Sequence, residues 1–225
     1  MNDRKYYEAY DDRYRQVHEE NLLWFSQEPS KILWDIMEKY AVGKTQRILE
    51  LGCGEGRDAS VLLKRGYSLL ATDISEEAIL FCRKRFGHEQ QFQILDCVRG
   101  GLEDKFHFIY AISVLHMLVA DEDRAAMLRF VHDHLEENGI ALICSMGDGQ
   151  MECCSDPSTA FALQERVHEA TGRKLFLAGT SFRGVSFPVL EMELEDTGLK
   201  ILEEGITRID PDYRNVMYAV VRKKV

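Results

Sequence analysis

Glu50, Gly52, Gly54 and Gly56 stand at alternate positions where the apolar run of ILELGCGEGRDAS, residues 48–60, turns polar. Glycine adopts φ > 0 without steric cost and lets a ligand approach the main chain. A strand, a tight turn and a helix start with this spacing can therefore hold a nucleotide. The dinucleotide fingerprint G-x-G-x-x-G would require its third glycine at Arg57, so a dinucleotide is disfavoured. Gly43-Lys44-Thr45 has the look of a phosphate-loop tail, but its partner glycine would fall at Glu38 and it precedes the strand; it reads as a chance turn. Asp73 ends LLATDIS, where a carboxylate can accept both hydroxyls of a ribose; capping of the helix that begins SEEA is the competing use. Asp96 and Cys97 close QILDCV, where a solvated turn acid is the ordinary reading. His116 has an imidazole suited to accept a proton near neutral pH. Position alone does not separate that role from a histidine that orients a helix or closes a pocket.

The stretch Leu49–Arg57, LELGCGEGR, resembles the first motif of the class I S-adenosylmethionine (SAM)-dependent methyltransferases, which in their small-molecule branch runs close to LDLGCGTGR. The resemblance is firm over residues 46–146 and looser beyond. It implies SAM as cofactor and S-adenosylhomocysteine (SAH) as product, with Glu50, Gly52, Cys53 and Gly54 in the cofactor loop and Asp73 on the ribose. It also implies Asp96 on the adenine amine with the Cys97 N–H on a ring nitrogen, Ile74 against the adenine face, and Ser113 beside the methionine end. The fourth strand runs out as YAISVLHML. The Asn/Asp-Pro-Pro-aromatic tetrapeptide of amino methyltransferases is missing there, and Ala111, Ile112 and Ser113 offer no carboxylate to a hard cation, so no metal is expected. His116 is the candidate general base. Transfer to an already nucleophilic atom needs none, because alignment supplies much of the rate.

These residues need a sheet to position them. Apolar runs alternate with helical patterns, which predicts an α/β fold: a Rossmann-like, mostly parallel seven-stranded sheet with helices on both faces. Strands are expected near 47–51, 68–73, 92–95, 106–113, 140–146, 200–207 and 216–222. The last two are joined by IDPDYRN, too short for a crossover helix, which permits an antiparallel pair; such a hairpin is what the methyltransferase resemblance implies. Helices are expected at 58–65, 76–86, 121–135 and 188–198, the last with Ser186 as cap and Pro188 in its first turn.

Residues 1–42 read as a cap of two helices, the second started by Pro29 with Ile32, Leu33, Ile36, Met37 and Tyr40 on one face. The remainder, 43–225, is the SAM-binding domain, with a lid insertion at about 147–187. Tyr14, Trp24 and Arg183 are the lid and substrate candidates, expected to face the methyl group rather than the adenine. Packing for the aromatics and plain exposure for the arginine compete with that role. Cys153-Cys154 raises a metalloid alternative against the reading of two lid-loop cysteines.

With 225 residues and a net charge of -10, the chain fits one domain with a cap and lacks the overall basic balance expected of nucleic-acid binding. The charged N-terminus carries no leader pattern and no run reaches membrane-span length, so a soluble cytoplasmic protein with free thiols is expected. These readings converge on methyl transfer to an O, N or S atom of a small molecule. A non-catalytic SAM/SAH-binding module and a metalloid- or tellurite-type enzyme are the alternatives.

Overall fold

The computed structural model describes residues 4–24, 28–168, 170–209 and 213–224. Its centre is a seven-stranded sheet built from β1 (Arg47–Leu51), β2 (Ser68–Asp73), β3 (Phe92–Ile94), β4 (Phe106–Ile112), β5 (Leu135–Met146), β10 (Leu199–Ile209) and β11 (Tyr213–Lys223). The strand order is β10-β11-β5-β4-β1-β2-β3. Strands β3, β2, β1, β4 and β5 run parallel, while β11 is antiparallel to both β5 and β10. The predicted hairpin is present; the tip of its link, residues 210–212, lies outside the described residues. The order reverses at β1, with β2 on one side and β4 on the other. That opens a crevice at the carboxyl ends of β1 and β4, the usual ligand position of open α/β sheets.

Strand β5 begins five residues before the expected Ile140. Leu135 pairs with Phe106 and Ile140 with Phe108, so the polar Glu136–Gly139 segment is an irregularity within one continuous strand. The helix before it, α5 (Asp121–His134), accordingly ends at His134.

Two apolar layers cover the sheet. One joins Ile48, Phe108, Tyr110 and Leu142 to α2 (Lys31–Lys39), α3 (Arg57–Lys64) and α4 (Glu76–Phe86) through Leu33, Ile36, Met37, Leu62, Ile79 and Cys82. The other joins Leu49, Ile109 and Ile143 to α5 and α6 (Phe187–Asp196) through Leu128, Val131, Leu190 and Leu194. The Ile32/Leu33/Ile36/Met37 stripe is thus buried in the main core, so α2 belongs to the sheet's own cover. It starts two residues after the expected Pro29, with Ser30 at the N-cap position. There the Ser30 N–H and hydroxyl both bond to the Asp58 carboxylate, at 2.7 and 2.8 Å.

The first helix, α1 (Ala9–Glu19), lies instead across the carboxyl edge of the sheet. Residues 147–187 form β6 (Cys153–Cys154) paired with β9 (Arg183–Gly184), and β7 (Leu163–Val167) paired with β8 (Lys174–Ala178). Helix α1 packs against β8 and α4. Arg13 fastens it by donating to the carbonyls of Ala178, at 3.1 and 2.7 Å, and of Gly179, at 2.8 Å.

Candidate active site

The glycine loop leaves β1 at Gly52 and enters α3 through Gly56. Gly52 (φ 73°) and Gly54 (φ 50°) are left-handed, and both are also pressed by neighbours. A Cβ at Gly52 would stand 2.4 Å from Val114 Cγ2, and one at Gly54 would stand 2.6 Å from the Tyr14 hydroxyl oxygen. Helix α1 therefore touches the loop itself. Asp73, at the end of β2, holds the loop from the other side: it accepts the Gly54 N–H at 2.8 Å and the Ser75 N–H at 2.9 Å. Burial pushes its carboxyl upward. The side-chain cap of α4 is Ser75, whose Oγ accepts the Ala78 N–H at 3.0 Å. Asp73 thus supports the turn before α4 while remaining in the wall of the crevice.

Three spaces meet around this loop. A cleft of about 630 Å³ including its open mouth is lined by Gly52, Asp73, Ile74, Leu95, Asp96, Cys97, Val98 and, from α1 and the turn before it, Tyr7, Tyr10 and Tyr14. A second, of about 530 Å³ including its open mouth, lies across the glycines and is lined by Glu50, Cys53, Gly54, Arg57, Asp58 and Ser113. A third, of about 2590 Å³ including its open mouth, lies between α1 and the β7-β8 hairpin and takes in Trp24, His116 and Phe182. Met117 lines all three.

The first cleft gathers Gly52, Asp73, Ile74, Asp96 and Cys97. Asp96 accepts the N–H groups of Val98 at 2.9 Å and Arg99 at 3.2 Å, the Arg99 Nε–H at 2.7 Å, and the Tyr7 hydroxyl at 3.4 Å. Burial raises the Cys97 thiol to about 12, which keeps it protonated at neutral pH. The second space gathers Glu50, Cys53, Gly54 and Ser113. Among the described residues, Ser113 Oγ is buried there without a hydrogen-bond partner, and Glu50 Oε2 is buried with no well-formed hydrogen bond, the Tyr110 phenol being its nearby polar neighbour. Burial, then the nearby Asp58, pushes the Glu50 carboxyl well above the carboxylate range. Ser113 is also left-handed, at φ 62°, a conformation uncommon outside glycine.

Such poorly satisfied acceptors cost free energy unless a ligand satisfies them. They fit the ammonium of a methionine tail, as Asp73 fits a ribose and the apolar wall of Ile74 and Leu95 fits a base. The residues present therefore suit SAM. Among the described residues no group of three or more potential metal ligands occurs.

His116 reaches the third space but is poorly suited to be a base. Its Nδ1 accepts the Met146 N–H at 3.4 Å, its ring tilts toward Phe182, and burial with Arg124 nearby holds its pKa down to about 3. Tyr14 is buried on the cofactor loop and lines every one of the first two spaces, so it stands at the ligand junction rather than on the substrate side alone. Trp24 lines the third space, with the Arg13 guanidinium 4.8 Å from its ring centre. Arg183 departs from expectation: its Nη1 donates to the Val119 carbonyl at 2.7 Å and to Asp121 at 2.5 Å, in an outer groove between α5 and α6. Cys153 and Cys154 are in that same groove. Tyr7, Tyr10, Met117 and Val114 were not singled out for the site by sequence. Tyr7 and Tyr10 belong to an aromatic cluster that reads equally as packing, and Met117 carries no chemical signal.

Residues 49–141 match the family model described as methyltransferase domain. A curated relative, the probable S-adenosyl-L-methionine-dependent methyltransferase TehB of Haemophilus influenzae, is 24% identical over 135 residues. That alignment covers 58% of this chain and 47% of the relative, so this chain is matched to about half the relative's length. Among solved structures, the CcbJ methyltransferase from Streptomyces caelestis superposes with TM-score 0.72 at 18% identity, over 97% of this chain and 99% of that one. The glycopeptide N-methyltransferase MtfA complexed with sinefungin gives 0.66 at 17%, over 89% and 88%. A TehB-like SAM-dependent methyltransferase from Corynebacterium glutamicum gives 0.58 at 17%, over 97% and 98%. Residues 49–141 thus match the methyltransferase domain family, and the chain has the fold seen in the SAM-dependent methyltransferases.

Proposed function

We propose that this protein transfers a methyl group from SAM to a small molecule. The observation that carries the reading is the pair of buried side chains Glu50 and Ser113 in the space across the glycine loop, with Ser113 Oγ left without a hydrogen-bond partner among the described residues. SAM, when bound, supplies a methyl on a sulfonium, which any correctly aligned nucleophile can attack. Glu50 and Ser113 would hold the ammonium, Asp73 the ribose hydroxyls, and Asp96 with the Cys97 N–H the adenine, with Ile74 against its face. Cys53 and the glycines shape the loop. Tyr14 and Met117 would separate this site from the acceptor chamber, and Trp24 would wall the acceptor. Catalysis is then mainly alignment and exclusion of water, with His116 a neutral hydrogen-bonding group of the chamber rather than a base.

The large chamber beside Met117 favours an enzyme over a ligand-binding module, because a module has no need of space for an acceptor. Cys153 and Cys154 line a separate outer groove, which speaks against thiolate-bound metalloid as acceptor. Residues 1–42 and 147–187 act as the cap and lid of the domain 43–225, with α2 serving its core. The net charge of -10 fits a cytoplasmic small-molecule enzyme rather than one acting on nucleic acid; among the described residues no helix is long and apolar enough to cross a membrane. Calorimetry with SAH tests the reading: binding that disappears in a Glu50→Gln, Ser113→Ala double variant is expected, and unchanged affinity would refute it.

A further inference from the structure

The acceptor chamber is free of carboxylates along its described wall, although the chain carries 38 acidic residues against 28 basic ones. The nitrogen-bearing ionisable side chains there are Arg13, His116, Arg166 and His168, and the one phenol is Tyr10. Glu169 lies outside the described residues.

Three of the four nitrogen groups have structural work. Arg13 donates to the Ala178 and Gly179 carbonyls. His116 is buried and neutral. His168 engages Thr171 Oγ1 through Nδ1 at 2.8 Å and the Leu23 carbonyl through Nε2 at 2.7 Å.

Arg166 is different. It sits on β7, exposed, and its Nη2 donates to Gln164 Oε1 at 2.7 Å; among the described residues no carboxylate lies within ion-pair distance of it. Strand alternation puts Gln164 and Arg166 on the chamber face, while Glu165 between them pairs with Lys174 at 2.8 Å outside it. A guanidinium without a carboxylate, in a wall without acids, is a receptor for an oxyanion, which it can grip through two parallel N–H bonds. A cationic acceptor would find no countercharge there.

We propose that the methyl acceptor is an anionic small molecule whose carboxylate or similar oxyanion is held by Arg166. This rests on the transferase reading above. The experiment offers methyl-tritiated SAM with three pools of small molecules on matched frameworks: carboxylic acids, neutral analogues and amines. Label is expected in the acid pool. For the best acid, Arg166→Glu should raise KM by at least about tenfold, as loss of a charged hydrogen bond implies. The KM for SAM should stay within about twofold, and Arg166→Lys should recover part of the loss. Label confined to amines, an unchanged acceptor KM in Arg166→Glu, or SAH binding with no label in the acid pool would each overturn the proposal. Absence of SAH binding by calorimetry would instead remove the transferase reading beneath it.

Discussion

Asp73 holds the loop through two backbone hydrogen bonds, from Gly54 and Ser75, and stands in the crevice wall where the proposed ribose role would use the same carboxylate. Replacing it with Ala removes acceptors whose bonds, being charged, are each worth about 1.5–3 kcal/mol. SAH affinity measured by calorimetry should fall more than about tenfold; an unchanged value would take the residue out of the site. Glu50 gives a pH prediction. Burial raises its pKa, so in the ligand-free protein it holds its proton to higher pH than a free glutamate. An ammonium is held by the ionised form, so SAH affinity should rise as pH climbs through that raised value, with proton release seen by calorimetry in buffers of different ionisation heat. The ligand-free fold shows the opposite slope: a raised pKa favours folding at low pH, and that benefit is lost as pH rises through the folded value. Glu50→Gln should flatten both slopes. With its pKa near 3, His116 is already neutral at pH 5, so it should contribute no inflection to the transfer rate between about pH 5 and 8.

At the scale of elements, α1 is latched to the cofactor loop by one imidazole. His18 bonds Glu55 through Nε2 at 3.1 Å and Glu77, at the start of α4, through Nδ1 at 2.8 Å, and its ring stacks on Phe81 at 4.6 Å. Asp11 adds a second tie by accepting the Ser75 hydroxyl at 2.8 Å and the Glu77 N–H at 3.0 Å. The two carboxylates outweigh burial and raise the His18 pKa. Its docking contribution is therefore complete below its free pKa and is lost as pH rises through the raised one. The protection factors of residues 9–19, which correct for the base catalysis of exchange itself, should fall at high pH in the native protein, and His18→Gln should remove that fall. A second fastening sits deeper. Arg124, fully buried on α5, bonds both oxygens of Glu193 on α6 at 2.6 Å and the Leu115 carbonyl at 2.8 Å, fixing the turn that carries His116 and Met117. Glu193→Ala leaves that guanidinium buried without its carboxylate, which should cost about 3–5 kcal/mol in chemical denaturation.

Across the whole molecule, a ligand that binds only the folded state stabilises it by mass action, about 2.7 kcal/mol at one hundred times its dissociation constant. SAH should raise the melting temperature accordingly and NAD should leave it unmoved, since Arg57 stands where a dinucleotide loop needs glycine. The site draws on distant parts of the chain. Tyr7 meets Asp96, and Tyr14 meets Gly54, so the N-terminal segment is a wall of the cofactor cleft as well as of the acceptor chamber. Removing residues 1–20 should therefore lower SAH affinity by more than about tenfold, or 1.4 kcal/mol, where the sequence by itself had the segment facing only the methyl group.

The parts of this protein set by the sequence alone are those with local physical causes. Alternating apolar runs determine the strands and their order of types, the turn-rich link after Ile209 leaves no room for a crossover helix, and the glycines after Leu51 determine a loop open to a ligand. The positions of Asp73, Asp96 and Ser113 along the crevice were legible because each stands at or just beyond a strand end, and parallel strands bring such ends to one edge. Only the tertiary structure decided which face α2 covers, that Glu136–Gly139 stays within β5, that Arg183 turns to Asp121 and away from the site, and that Arg166 stands in an acid-free wall. Each depends on partners far along the chain, whose contacts are chosen by the packing of the whole core. A side chain's spacing and type carry no record of those partners.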